Sequence, residues 1–464
     1  MVFSSSVFLF LFLPIVLVLY FAFKDLDKKN NILLIFSLVF YAWGEPIYIF
    51  LLLASIFVNW LFGRLVVKGN SNRKIWLTIS VIVNVGLLFV FKYLGFAASN
   101  LGLLLGSHLS VNIALPIGIS FFTFQAMSYV IDVYRGDGVS QKKIRNVALY
   151  ISLFPQLIAG PIVRYQTVAD QITNRTHSLE KIRGGVRRFI LGLGKKVIFA
   201  NNFSLVADAV FNSGQQHGFL ILWIGAVAYS LQILFDFSGY SDMAIGLGRI
   251  FGFEFLENFD YPYTSKSVTE FWRRWHISLG SWFRDYVYIP LGGNRVSGAR
   301  HIFNLFIVWL LTGFWHGANW TFVVWGLFYF VILVIEKFTH MDKLFEKKLH
   351  ILPHIYTMLL VVLGWVIFRA DNISAACSYL QGMFGASVMS ADDWILVRQF
   401  VGEYIGVFVL SFALLIPWNK IFTFKEKYHG FRTVLADIAY LIVFLVSVSY
   451  IMKGSYSPFI YFNF

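Results

Sequence analysis

IFNLFIVWLLTGFWHGANWTFVVWGLFYFVILVI, residues 302–335, holds no aspartate, glutamate, lysine or arginine. A helix crosses a hydrocarbon core with about 20 mostly apolar residues, so a run this long reads as chain that enters a membrane and leaves it again. Its polar residues gather in the middle, in TGFWHGANW (312–320), and Arg300 and Lys337 lie just beyond its ends. Both ends then face one compartment, and His316 falls near the turning point, deep in the membrane. If the middle is helical, Thr312, His316 and Asn319 share one face. Gly313 and Gly317, four residues apart, permit close approach by a neighbouring helix or a ligand.

The rest of the chain has the same character. Of 464 residues, 58% are hydrophobic and only 13% charged, with a mean hydropathy of +0.69. A soluble domain carries about 25% charged residues, and a soluble fold has too few polar groups here to cover so much apolar surface. The 51 phenylalanines suit a hydrocarbon interior, and the 14 tryptophans and 23 tyrosines suit its two interfaces. The net charge of +14 does not call for nucleic acid. The basic residues sit in short stretches between apolar runs, where they orient helices and meet anionic headgroups. One cysteine, Cys377, leaves no internal disulfide and no cysteine-rich metal site.

Further apolar segments occur at 7–23, 32–43, 47–65, 75–91, 114–133, 189–211, 219–235, 355–368, 404–418 and 434–451. The fold class that follows is an all-α integral membrane protein with about ten to twelve membrane helices. It forms one membrane domain over 1–464, without internal repeats or a separate soluble domain. Segment 7–23 lacks a basic leader and a small-residue cleavage site, so it reads as a retained helix. Basic groups at Lys24, Lys28 and Lys29, at Arg64, Lys68, Arg73 and Lys74, and at Lys420, Lys425, Lys427 and Arg432 mark cytoplasmic loops and put the N-terminus outside. Segment 147–163 holds Pro155, Gly160 and Pro161, which break a helix, so it reads as a re-entrant or interfacial element.

Polar residues inside such segments cost several kcal/mol unless paired or hydrated, and they point to function. Besides the His316 cluster, one polar stretch runs from Asp236 to Asp242, on through Tyr261-Pro-Tyr263, to FWRRWHISLGSWFRDY (271–286). The last piece looks like an amphipathic helix lying in the inner interface, with Arg273, His276 and Gly280 on one face. Gly292 and Gly293, after Pro290, predict a tight turn. Two readings fit this stretch: an interfacial anchor with arginines reaching for headgroups, or a site for an anionic donor such as a coenzyme A phosphate. A buried histidine with small neighbours and an adjacent amide suits proton abstraction from a hydroxyl near neutral pH. His276 and His316 lie far apart in sequence, with no HExxH or paired-carboxylate pattern near either, so no metal site is expected. The other eight histidines, His217 and His301 among them, fall near segment ends or in loops and read as structural or solvated. No GxSxG, Walker A or GxGxxG signature is present, which argues against a serine hydrolase, an NTP-driven pump and a Rossmann enzyme.

WRRWHISLGSWFRDYVYIPLGGNR (272–295) followed by TGFWHGANW (312–320) resembles the membrane-bound O-acyltransferase family, and more narrowly its alginate O-acetyltransferase branch. FSSSVFLFLFLP (3–14), AGPIVRY (159–165) and DFSGYSDMAIGLGRIFGF (236–253) resemble the same branch, in order along most of the chain. The resemblance implies a ring of membrane helices around a tunnel or funnel, and acyl transfer from a thioester to a hydroxyl or amine. It assigns the two family histidines to His316 and His276. It implies acetyl-coenzyme A as a cytoplasmic donor, with no bound cofactor. The acceptor is a polysaccharide outside the bacterial cytoplasmic membrane, reached through a secreted acetyl-carrying or esterase-like partner. In that mechanism His316 takes the acceptor proton, and Asn319 orients the ring or binds the developing oxyanion. His276, Arg273 and Arg284, beside Asp285, hold the donor, while Trp315, Trp320 and Tyr240 line the tunnel. A related branch transfers D-alanine to teichoic acid from a carrier protein. A transporter for lipid-linked sugars would also need buried polar residues and broken helices.

Overall fold

Backbone polar groups within a hydrocarbon layer need partners in their own segment, and this chain meets that requirement with helices. The structure, a computed structural model, describes residues 1–158, 160–341, 351–418 and 429–454, and holds no strand among them. Seven helices are long and apolar enough to cross a membrane: Arg73–Leu105, Leu179–Phe211, Phe219–Ile250, Trp320–Thr339, Leu352–Arg369, Ala391–Leu415 and Thr433–Met452. Phe8–Ala22 and Ile49–Leu65 are shorter apolar helices. Leu26–Gly44, Ile119–Arg135 and Gly298–His316 are helices of 17 to 19 residues with more polar groups. The protein is a multi-pass membrane protein. Lys420, Lys425 and Lys427, and the side chain of Arg432, on which the last loop assignment rests, lie outside the described residues.

Two compact units divide the chain. The first comprises 1–189 and 240–256. Phe3, Phe8, Phe12, Phe40 and Phe154 pack there as one aromatic cluster, with ring centroids 4.9–6.4 Å apart. Ile119–Arg135 is buried on nearly all sides and seats against Ile49–Leu65, where Gly63 leaves room for the Tyr129 ring. Asn59 and Asn84 exchange side-chain hydrogen bonds of 3.1 and 2.8 Å between Ile49–Leu65 and Arg73–Leu105, the arrangement by which amides join helices where water is absent. Segment 147–163 is broken as its prolines require. A helix ends at Ser152, a single turn follows at Phe154–Leu157, and these residues are buried in protein. The Phe154 N–H, lost to the helix, donates to Ser37 Oγ at 3.1 Å.

The second unit comprises 190–239 and 257–464. Run 302–335 folds in it as two antiparallel helices, Gly298–His316 and Trp320–Thr339. They approach closely because Gly313 and Gly326 face the partner backbone. A Cβ on Gly326 would stand 2.5 Å from the Trp309 carbonyl oxygen. Leu352–Arg369 packs on the second helix of the pair, with Gly364 under Tyr329. Trp272, Trp275, Trp309, Trp325, Tyr329 and Trp365 fill the space between them, mostly edge to face. Ala391–Leu415 and Thr433–Met452 instead bury little of themselves. They present side chains such as Val409, Leu410, Leu441 and Leu445 outward, as lipid-facing helices do.

Candidate active site

The His316 helix stops at the histidine itself. Gly317 is extended, with φ −174°, and only glycine fits there, because a Cβ would strike the Phe322 ring. Asn319 then opens the next helix, its Oδ1 accepting from the Thr321 N–H at 3.1 Å. Asn319 is therefore not one turn beyond His316 on a shared face. Its Nδ2 donates to the Asp371 carbonyl at 2.9 Å. With 19 residues, the His316 helix is about 28 Å long. The imidazole thus sits at the far end of a membrane-length helix rather than midway along it. Trp315, Trp325 and Phe368 surround it edge to face at 5.0, 5.0 and 5.1 Å.

The expected continuous helix over 271–286 is broken as well. Val268–Arg274 ends before Trp275, and a second helix runs Ile277–Phe283. Between them His276 takes left-handed backbone angles, φ 45° and ψ 51°, which an ordinary L-residue adopts only at a cost of about 1–2 kcal/mol. Asn258 holds it there. Asn258 Oδ1 accepts from the Ser278 N–H at 3.1 Å and from Ser278 Oγ at 2.9 Å, and lies 3.2 Å from His276 Nδ1. A backbone N–H can only donate, so that atom is the amide oxygen and His276 Nδ1 carries a proton toward it. Burial pulls the His276 pKa down to about 3, so the ring is neutral and Nε2 keeps its lone pair. Nε2 is buried and has no hydrogen-bond partner among the described residues.

A cavity of about 480 Å³ in the second unit brings the two histidines together. Along the His316 helix its wall is His301, Leu305, Val308, Thr312 and His316. Steps of three and four keep these on one face over about 22 Å of axis. The other wall carries Arg273, His276, Gly280 and Arg284, and Lys337 stands near the His301 end. Arg273 and Lys337 are exposed while His276 and His316 are buried, at 2% and 6% exposure. Exposed cations and two buried imidazoles thus share one cavity.

Of the residues singled out from sequence, His316, His276, Arg273 and Arg284 line this cavity. Trp315 lies behind it, edge-on to both histidines, at 5.0 and 5.8 Å. Asp285 grips Arg284 Nε at 2.8 Å. Tyr240 belongs to the first unit, where it stacks on Phe3 at 4.5 Å. Asp236 and Asp242 lie within the helix Phe219–Ile250, which runs on past residue 235. They pair with Lys196 at 2.7 Å and Arg188 at 2.6 Å. His301, expected to be structural or solvated, also lines the cavity, at a spacing from Leu305, Val308, Thr312 and His316 that the sequence shows; its Nε2 lies 2.8 Å from the Tyr288 hydroxyl. Asn258 and Glu336 carried no sequence signal. Glu336 is fully buried and accepts from the Val268 and Thr269 N–H groups, both at 2.8 Å, so it caps the helix that carries Arg273. Among the described residues no three His, Cys, Asp or Glu side chains gather as a metal site.

The membrane-bound O-acyltransferase family profile matches residues 139–370, which include both histidines and the cavity. The chain is 40% identical to a probable alginate O-acetylase of Pseudomonas putida, over all of both chains. It is 32% identical to a peptidoglycan O-acetyltransferase of Helicobacter pylori, over all of this chain and 98% of that one. A teichoic acid D-alanyltransferase of Streptococcus thermophilus is 32% identical over 47% of this chain and 56% of its own length.

Proposed function

The chain belongs to the membrane-bound O-acyltransferase family, and from that premise we propose that it transfers acetyl from cytoplasmic acetyl-coenzyme A to hydroxyls of a polysaccharide outside a bacterial cytoplasmic membrane. A secreted acetyl-carrying partner takes part, and the N-terminus lies outside.

The observation that carries this reading is the shared cavity, lined by exposed cations and by the buried imidazoles of His276 and His316. Coenzyme A is too highly charged to cross a bilayer, so only its acyl group can travel. Arg273, Arg284 and Lys337 suit its phosphates. The lone pair on His276 Nε2 suits an amide N–H of its arm. His316, at the far end of the helix, takes the proton of the acceptor hydroxyl as that oxygen attacks the thioester carbonyl. The C–O bond forms, the C–S bond breaks, and His316 returns the proton to the departing thiolate. The two O-acetyl-transferring relatives align with this chain over its full length, whereas the D-alanyl-transferring one covers under half of it. That difference favours acetyl over D-alanyl and a polysaccharide over teichoic acid.

The test is the His316→Ala variant in proteoliposomes, with acetyl-coenzyme A on one side and acceptor on the other. With the unfolding midpoint kept, acetyl transfer should fall at least about a hundredfold. Transfer at the wild-type rate in the folded variant would refute the reading.

A further inference from the structure

Ser213, His217 and Asp393 stand in a hydrogen-bonded line within the second unit. Ser213 Oγ lies 2.9 Å from His217 Nε2, and His217 Nδ1 lies 2.9 Å from Asp393 Oδ1. A carboxylate can only accept, so in the neutral ring Nδ1 carries the proton and Nε2 keeps a lone pair. The Ser213 hydroxyl proton then has two acceptors within reach, Nε2 and the Val210 carbonyl at 3.1 Å. The carboxylate is itself fixed: Asp393 Oδ2 accepts from the N–H of Gly218 at 3.0 Å and from the N–H and hydroxyl of Ser390, both at 2.9 Å. His217 and Asp393 are buried, at 5% and 2% exposure. Ser213 is half-buried. Ser213 Oγ also accepts from the Gln215 N–H at 3.2 Å, and its bond to the Val210 carbonyl would break as the proton turns to Nε2.

This line borders open space. Ser213 and His217 line a cavity of about 390 Å³ with Gln215, Arg369, Ser378 and Gln381. Its walls include Asp371, whose carbonyl accepts from Asn319 at the turn that follows His316. It therefore adjoins the His316 end of the paired helices, away from the Lys337 end.

A hydroxyl bonded to an imidazole that a buried carboxylate orients is the arrangement that makes serine a nucleophile. It is recognised by geometry and not by sequence motif, so the lack of GxSxG does not speak against it. We propose that Ser213 is an acyl-accepting nucleophile, with His217 as its base, Asp393 as a positioning residue, and an acyl thioester or ester as the substrate class. Ser213 Oγ bonds to the acyl carbon as His217 Nε2 takes its proton. The C–S or C–O bond to the donor breaks, and that proton leaves with the donor's thiol or alcohol. An acceptor hydroxyl then attacks the acyl-serine and gives its proton to His217, which returns it to Ser213. Delivery of an acyl group to this end of the paired helices rests on the function proposed above; the activation of Ser213 does not.

The same bonds also tie the 212–218 loop to the start of Ala391–Leu415, and a staple of that kind would leave Ser213 inert. A fluorophosphonate probe separates the two. The full-length protein in lipid nanodiscs is labelled, digested and mapped by mass spectrometry. The adduct should fall on Ser213 and be absent from S213A. It should form at least tenfold more slowly in H217A, with the unfolding midpoint recorded for each variant. H316A should label like the wild type, so loss of the His316 reading would leave this result standing. An unlabelled Ser213 in the folded wild type, or equal labelling rates in H217A, would overturn the proposal.

Discussion

The imidazole of His276 and the indole of Trp315 meet edge to face, with ring centroids 5.8 Å apart. Trp315 meets its neighbour His316 the same way at 5.0 Å. One buried indole therefore sets the position of both imidazoles, though it stands outside the cavity they line. Trp315→Ala should lower stability by about 3–5 kcal/mol, and Trp315→Phe by less than half as much, because a ring edge remains. Thermal unfolding in detergent checks both. An alanine variant as stable as the wild type would mean that the indole does not hold the pair.

His276 is strained on purpose of its place between two short helices, with φ 45°. Asparagine tolerates this region and alanine does not, so His276→Asn should be more stable than His276→Ala by roughly 1 kcal/mol. Burial lowers the folded pKa from 6.5 to about 3. Between those values the unfolded chain binds a proton that the folded one refuses, so stability falls as pH drops from about 6.5 toward 3. The slope is on the order of 1 kcal/mol per pH unit. His276→Asn should flatten it, and unfolding midpoints across pH 4–7 would expose an unchanged slope.

Glu336 joins Trp320–Thr339 to the helix that carries Arg273, through the Val268 and Thr269 N–H groups and the Thr269 hydroxyl, at 2.7–2.8 Å. Glu336→Gln replaces one accepting oxygen with an amide NH2, itself a donor that opposes these donors, at a cost of about 1.5–3 kcal/mol. The released helix should raise the KM for the acyl donor more than it lowers kcat. A change confined to kcat would contradict this positioning role.

Lys196 and Asp236 form an ion pair of 2.7 Å with side chains 4% and 1% exposed. Removing either charge strands the other, so Lys196→Met or Asp236→Leu alone should cost about 3–5 kcal/mol. The double variant should recover most of that loss, since no lone charge remains. Additive losses in a double-mutant cycle would show that the two do not act as a pair.

The apolar segments were legible because lipid imposes one local rule, that an uncharged stretch of sufficient length becomes a helix. The break at 147–163 was legible too, from its prolines. Residues 219–235 gave no warning that their helix continues to Ile250, since Asp236 and Asp242 are held there by Lys196 and Arg188 on the preceding helix. Segment 271–286 looked like a single amphipathic helix. Its break at His276 depends on Asn258, 18 residues away in sequence.

What the sequence determined by itself is therefore what depends on local composition: helices, membrane, and His316 as a polar residue in apolar surroundings. Tertiary structure decided that both histidines line one cavity, that Asn319 caps a helix, and that Ser213, His217 and Asp393 fall into line. Those outcomes are set by hydrogen bonds and ring contacts between residues far apart in sequence, such as the 176 positions that separate His217 from Asp393. No local pattern encodes them, because each partner's geometry exists only once the helices have packed.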